Sequence, residues 1–386
     1  MKVKHYFTFT VLGMTTLAFA SSSLAFHGGG VAHCDGCHSM HNSPDNPVAG
    51  IANTTLLKGS DASSTCLNCH NGSGSYHINS DDGSNMNQGG DFYWVSSPYS
   101  VVVRGNTNTY GGDNAGHNVV AFDFGMLADS NPSNAQAPGG TYSATNLGCT
   151  SCHDAHGQFH GGTAHNHGPI SVSGSYGAAD PTDGSIHGNY RLLGDDQYTT
   201  GSEGPGEISF IAAAPVATAS NSSGSSVAYG EGMSEWCANC HTSYLGSATK
   251  HPAGEEVKLE GDIENNYNSY ISTGNYTGTN VYDVLVPLEM GKGDGSLLDP
   301  MDPFDGDGAG EANVMCLTCH RAHASAHNNA GRWDFETEFL AESHALVSPD
   351  IPASAAVYYG GGVKIDVVSR YGEYQRSLCN KCHVQD

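Results

Sequence analysis

The chain opens on one apolar run and never repeats it. Lys2 and Lys4 precede an apolar stretch from about Phe7 to Ala20, and the small residues Ser21, Ser22, Ser23, Leu24 and Ala25 follow. A basic start, a short apolar run and a small-x-small site describe a secretory signal peptide, with residues 1–25 removed and the mature chain beginning at Phe26. No later segment approaches the ~20 apolar residues of a spanning helix, so the mature chain is expected to carry no integral membrane segment. After residue 26, amphipathic helical stretches are scarce. Segments 130–148, 171–226 and 290–312 are rich in Gly, Ser, Asn and Pro. The pattern predicts mostly irregular coil, a few short strands or hairpins, and short helical turns.

Composition sharpens this picture. The mature chain, 386 − 25 = 361 residues, is long enough for ordinary hydrophobic cores, yet the full sequence holds 51 Gly and only 14% charged residues. Such a chain would struggle to offset its conformational entropy with its own side chains. Large apolar cofactors would supply the missing core. The net charge of −25 excludes a nucleic-acid partner and adhesion to anionic lipid, both of which call for basic patches.

The cysteines name the cofactor. All twelve fall into C-x-x-C-H: Cys34/Cys37/His38, Cys66/Cys69/His70, Cys149/Cys152/His153, Cys237/Cys240/His241, Cys316/Cys319/His320 and Cys379/Cys382/His383. Two thiols on one helical turn add to the two vinyl groups of a haem, and the adjacent His is held against the iron as proximal ligand. Six disulfides, or zinc sites, would not place His after every second Cys. A thioredoxin-like motif would occur once, near a βαβ unit. Six c-type haems are therefore expected, pinning a single domain over 26–386 that wraps a row of macrocycles: a multihaem cytochrome c fold.

The other axial positions need ligands. Of 21 histidines, six are proximal and His5 lies in the leader, which leaves 21 − 6 − 1 = 14 candidates for six positions. Ligation by two histidines throughout is the economical reading. Three motifs extend to C-x-x-C-H-x-x-H, adding His41, His156 and His323. The porphyrin blocks each of these from the far side of its own haem, but each can reach a neighbouring one. For the remaining positions His77, His117 and His251 are the better candidates, with His27 in reserve. His160, His165, His167 and His187 are expected at the surface, and His33, His327 and His344 stay unassigned. The acidic run Asp299, Asp302, Asp305, Asp307 and Glu311 matches no EF-hand spacing and reads as a solvated loop.

Blocks joining these motifs to their flanks carry a resemblance. They are Phe26–Ser43, Thr65–His70, Tyr229–Thr242, Cys316–Ser325 and Tyr374–His383, with shorter ones around His77, His117 and His251. The sequence resembles the outer-surface hexahaem c-type cytochromes of metal-reducing bacteria, which polymerise into conductive filaments. The Gly-rich stretches and the acidic run diverge from that family. The resemblance implies six bis-His haems stacked in a continuous chain and head-to-tail polymerisation. It also implies that His41 ligates the fifth haem (Cys316, Cys319, His320) of the adjacent subunit. The expected function is long-range electron transfer, not catalysis. Electrons would pass from other redox cytochromes to extracellular acceptors such as metal oxides, after export through the periplasm to the cell surface. A monomeric periplasmic shuttle would carry the same motifs. A reductase of small oxyanions would need an iron with an open position, and spare histidines outnumber the sites to be filled.

Overall fold

The computed structural model describes residues 34–39, 56–73, 77–85, 87–103, 106–155, 190–200, 208–219, 227–247, 250–269, 282–283, 286–304, 309–339 and 378–383. The expected signal peptide lies outside them. Within them the expected architecture is found: coil interrupted by short helices and two small hairpins. Each of the six motifs forms a helical turn. The first is α1 (Cys34–Cys37), the second closes α2 (Ala62–His70), and the third is a 3-10 turn at Cys149–Ser151. The fourth ends α4 (Met233–Cys237), the fifth is α6 (Cys316–Cys319), and the sixth is a 3-10 turn at Leu378–Lys381.

Local chemistry explains where these turns begin. Asp61 caps α2 in extended conformation, its carboxylate accepting from Ser64 N at 2.7 Å. At the third and fifth motifs the cap is internal: Ser151 Oγ accepts from Gly148 N, and Thr318 Oγ1 from Met315 N, each at 3.0 Å. Two further helices are not part of a motif, α3 (Tyr93–Ser96) and α5 (Gly261–Ser269). Asn266 of α5 donates to the Cys382 carbonyl and so holds the sixth motif against this helix.

The hairpins are antiparallel. Strands β1 (Tyr99–Val103) and β2 (Asn106–Tyr110) pair with Tyr99 opposite Tyr110. Both tyrosines tie this hairpin to the segment after the fifth motif, Tyr99 by its hydroxyl to the Ala326 carbonyl and Tyr110 to Asp334. Strands β3 (Val216–Ala219) and β4 (Val227–Glu231) pair with a bulge at Val216/Ala217, and β4 runs directly into α4.

Side chains build more core than the composition predicted. One cluster gathers Trp94, Leu259, Tyr267, Leu288, Phe304 and Trp333, and a second gathers Tyr190, Leu193, Tyr229, Met233, Met315 and Leu317. A few large aromatics fixed by isolated bridges and short hairpins do the work that long amphipathic helices do elsewhere. Buried Arg321 and Arg332 add polar pins: both reach Gln88, and Arg332 Nε donates to the Leu317 carbonyl. Among the described residues no helix is long and apolar enough to cross a membrane. Asp299, Asp302 and Glu311 of the acidic run are exposed, and among the described residues no cluster of three or more acidic, His or Cys side chains is arranged to hold a metal ion.

Candidate functional site

Cysteines of successive motifs interact electrostatically in sequence order. Cys66 hydrogen-bonds Cys149 and lies within electrostatic reach of Cys37, which places the first motif near the second and joins the second to the third. Cys152 lies within electrostatic reach of Cys240, which places the third motif near the fourth. Cys237 hydrogen-bonds Cys316, and Cys319 lies within electrostatic reach of Cys379 and Cys382. Motif order in space therefore follows motif order in sequence. None of the eleven cysteines from Cys37 to Cys382 described at side-chain level is in a disulfide bond. Contact with Cys316 and burial hold the Cys237 thiol protonated, while the bond that it donates draws Cys316 down to about 7.

Cys69 stands apart from this series. It is exposed, whereas Cys66, three residues before it, is half-buried between Cys37 and Cys149. The reason is the way α2 is seated. Its first turn and Leu67 are buried, while its last turn emerges, leaving Asn68 and Cys69 at the surface. Cys379 is exposed as well, yet it lies within electrostatic reach of Cys319. The second motif thus joins its neighbours through Cys66, and the case for attachment at Cys69 rests on the C-x-x-C-H spacing.

Two of the cysteine contacts are built alike. Helix α2 packs on the third motif and α4 on the fifth. In each pair a buried serine three residues before the first cysteine accepts from the backbone N–H of the next motif's first cysteine. Ser63 does so from Cys149 N at 2.9 Å, and Ser234 from Cys316 N at 3.0 Å. A residue between the cysteines also anchors chain: Asn239 Oδ1 accepts from Ile211 N and Ala212 N.

The histidines are oriented by backbone carbonyls. Nδ1 of His153 lies 2.9 Å from the Arg191 carbonyl, His241 2.8 Å from Pro138, and His320 2.8 Å from Asn329. Among the candidates for distal ligation, His117 Nδ1 lies 2.6 Å from the Ala322 carbonyl and His251 Nδ1 2.8 Å from that of Pro252. A carbonyl only accepts, so Nδ1 carries the proton and Nε2 keeps the lone pair that a metal needs. Burial lowers the pKa of His117, His320 and His323, the last to about 3, and keeps these rings neutral as ligation requires.

Three pairs of rings face each other. Centroids of His117 and His241 are 6.2 Å apart, those of His153 and His323 6.3 Å, and those of His251 and His383 6.0 Å. An imidazole nitrogen sits about 2.0 Å from a first-row metal and about 1.1 Å from its ring centroid, so two rings sharing one iron stand about 6.2 Å apart. Each pair joins one motif histidine to one histidine expected as distal. The residues present fit haem by spacing, protonation and thiol position together.

Close backbone approach sets two of these rings. His117 N donates to the His323 carbonyl, and Gly116 lies so near His323 and Ala324 that any Cβ there would collide with their backbone. The carbonyl of His77 accepts from Asn87 Nδ2, in the loop that also meets His323 through Gly89. His38 forms a bridge with Leu57, and His70 ends α2 with its carbonyl accepting from Ile78 N. His41 and His156 lie outside the described residues, as do His27, His33, His160, His165, His167, His187 and His344.

Sequence reasoning missed several of these residues. Ser63 and Ser234 carried a signal, Ser-x-x-Cys at the second and fourth motifs only. Ser151 and Thr318 carried another, a hydroxyl just before the second cysteine of the third and fifth. His327, left unassigned, is fully buried and packs edge-on against Tyr110 at 5.3 Å.

Comparison with known proteins agrees with this geometry. No family model matches the chain. C-type cytochrome OmcS of Geobacter sulfurreducens is 39% identical over 432 aligned positions, which cover 98% of each chain. Two solved structures are similar, one of OmcS nanowires by cryo-electron microscopy and one of the outer membrane cytochrome S filament, both from Geobacter sulfurreducens. Their TM-scores are 0.75 and 0.71, each at 38% identity, covering 94% of this chain and all of the other. A chain so alike over its whole length, with six C-x-x-C-H motifs, belongs to the OmcS family of c-type cytochromes, which carry covalently bound haem.

Proposed function

We propose that this chain is the subunit of an extracellular cytochrome filament that carries respiratory electrons over long distances to acceptors such as metal oxides. The observation that carries the reading is that cysteines of successive motifs, from Cys37 to Cys382, lie within electrostatic reach of one another, with hydrogen bonds at Cys66–Cys149 and Cys237–Cys316, because electron hopping needs each cofactor near the next. Bound haem supplies a one-electron iron couple at each station. The chain's residues attach, orient and space six such stations in sequence order. Cys69 would hold the second haem from its solvent-facing edge, with Cys66 on the edge turned toward the first and third motifs. Export by the leader 1–25 would pass the chain through the periplasm, where other cytochromes supply electrons, to the cell surface. Two histidines at every iron leave no position for a substrate, which supports electron transfer over catalysis.

The ligand pairs extend to a rule. His323, the extension of the fifth motif, faces His153 of the third, two motifs back. By the same step His156, the extension of the third motif, serves the first, opposite His38. His41, the extension of the first, would then serve the fifth motif of an adjacent subunit, opposite His320. His117 serves the fourth, His251 the sixth, and His77 is left for the second, opposite His70. A contact that gives a ligand at one end and takes one at the other does not close, and it generates an open filament.

The test is His41→Ala. The variant is expected to load six haems and remain monomeric, with one iron per chain lacking its second histidine. Filaments that persist in this variant, seen by electron microscopy, would show that His41 does not bridge subunits.

A further inference from the structure

Glu289 is a carboxyl with no exposed surface, lodged between the fourth and fifth motifs. Its Oε1 accepts from Met233 N, the first residue of α4, at 2.6 Å, and its Oε2 accepts from Asn313 Nδ2 at 2.8 Å. The backbones of Glu289 and Asn313 exchange hydrogen bonds as well, at 3.0 and 2.8 Å. Both side-chain bonds come from neutral donors. Met233 stands one helical turn, about 6 Å, before Cys237, and Asn313 stands three residues before Cys316. The carboxyl thus braces the chain just ahead of two attachment sites that touch each other.

The groups around it disfavour a permanent charge. Glu235 of α4 and Glu255 of the following loop are like charges facing it. Tyr229 of β4, itself buried, runs alongside in a parallel bridge, and Cys237 is the thiol that feels the carboxyl. The cation on this side, Lys258, binds the Asn313 amide oxygen at 3.4 Å and the Glu311 carbonyl at 3.0 Å. Desolvation foremost pushes the Glu289 carboxyl up to about 8, into the range where a modest change of local charge moves its proton.

We propose that Glu289 is a redox-linked proton site: it takes up one proton from solvent as the iron held at Cys237, Cys240 and His241 gains one electron from a neighbouring haem. Ferric iron and carboxylate become ferrous iron and carboxylic acid, so the added electron and the added proton cancel in a low-dielectric interior. The sign follows from linkage. The ferric state favours the carboxylate and the ferrous state the acid, so the carboxyl titrates at higher pH when the iron is reduced. The iron's midpoint potential is then flat at low pH, falls as pH rises between the two titrations, and is flat again above them. The proposal rests on haem attachment at Cys237 and Cys240, which a haem count establishes separately.

The test compares native filaments with the Glu289→Gln variant, both assayed first for six haems per chain. Spectroelectrochemical titration across neutral to alkaline pH is expected to show one haem whose potential falls with pH in the native protein and loses that slope in the variant. The reduced-minus-oxidised infrared difference spectrum is expected to gain a carboxylic-acid C=O band that the variant lacks. An unchanged slope and band in Glu289→Gln would overturn the proposal and assign that pH dependence to haem propionates. Should the variant fail to load haem, Glu289→Asp keeps a titrating group. A displaced pH window there supports the proposal, and a native window overturns it.

Discussion

His117→Ala removes one ring from the pair with His241 and leaves the rest of the pocket in place. Those rings stand 6.2 Å apart, the separation of two imidazoles bound to one metal, about 2 × (2.0 + 1.1) Å. In the proposed ligand pairing the iron of the fourth motif then keeps only His241. Six motifs are present, so one sixth of the low-spin ferric signal should convert to high spin, or to a water-bound form. The fold should survive. Losing the Nδ1 bond to the Ala322 carbonyl costs about 1–3 kcal/mol if that carbonyl stays unsatisfied, a tolerable fraction of a domain's stability. Electron paramagnetic resonance and the charge-transfer absorption of the oxidised protein measure the fraction directly. A parallel His327→Leu variant controls for loss of a buried histidine, because the His327 ring packs edge-on against Tyr110. A spectrum wholly low-spin in His117→Ala, with six haems counted, would refute the assignment of His117. A high-spin fraction in His327→Leu would undo the distinction between the two.

Further outcomes follow from the same contacts. Ser234→Ala leaves the part-buried Cys316 N–H without its acceptor, and Ser63→Ala does the same for Cys149; each is expected to cost about 1–3 kcal/mol, read as a lower melting temperature. The two losses should add in the double variant, since the sites share no partner; a strong departure from additivity would contradict two independent joints. His327 should shape acid stability. Burial holds its pKa at about 3, below the ordinary 6.5, so its contribution is complete above pH 6.5 and is lost as pH falls toward 3. The upper bound is roughly 1.4 kcal/mol for each pH unit in that window. His327→Leu is expected to shift the acid unfolding midpoint, followed by circular dichroism, to lower pH, and an unchanged midpoint would count against a neutral buried ring.

The covalent chemistry was legible in the sequence because it is local. Two thiols and a histidine must lie within five residues to grip one haem, so Cys149, Cys152 and His153 identify themselves without a fold. The same locality hides which thiol faces inward: Cys66 and Cys69 read alike in the motif, and only the seating of α2 separates the half-buried one from the exposed one. The coil-rich architecture was legible because Gly-rich segments without helical periodicity leave little else to form. Ligand pairing was not legible. His153 and His323 are 323 − 153 = 170 residues apart, and their meeting depends on Gly89, Gly116 and the bridges around Ala324. The side-chain core was underestimated because Trp94 and Tyr229 sit in short apolar runs and Phe304 stands alone, none with the helical periodicity that marks a buried face. Ser63 and Ser234 could have been read from the repeated Ser-x-x-Cys, but a serine before a cysteine carries meaning only once its partner motif is known to pack beside it.

The central claim is an ordered row of haems continued from one subunit to the next. Cryo-electron microscopy of filaments sheared from cells that make this chain tests it most directly. Six macrocycles per subunit are predicted in the order of their motifs, with His323 and His117 on the third and fourth irons and His41 of one subunit opposite His320 of the next. Discrete particles in place of filaments, or macrocycles ordered otherwise than their motifs, would contradict it.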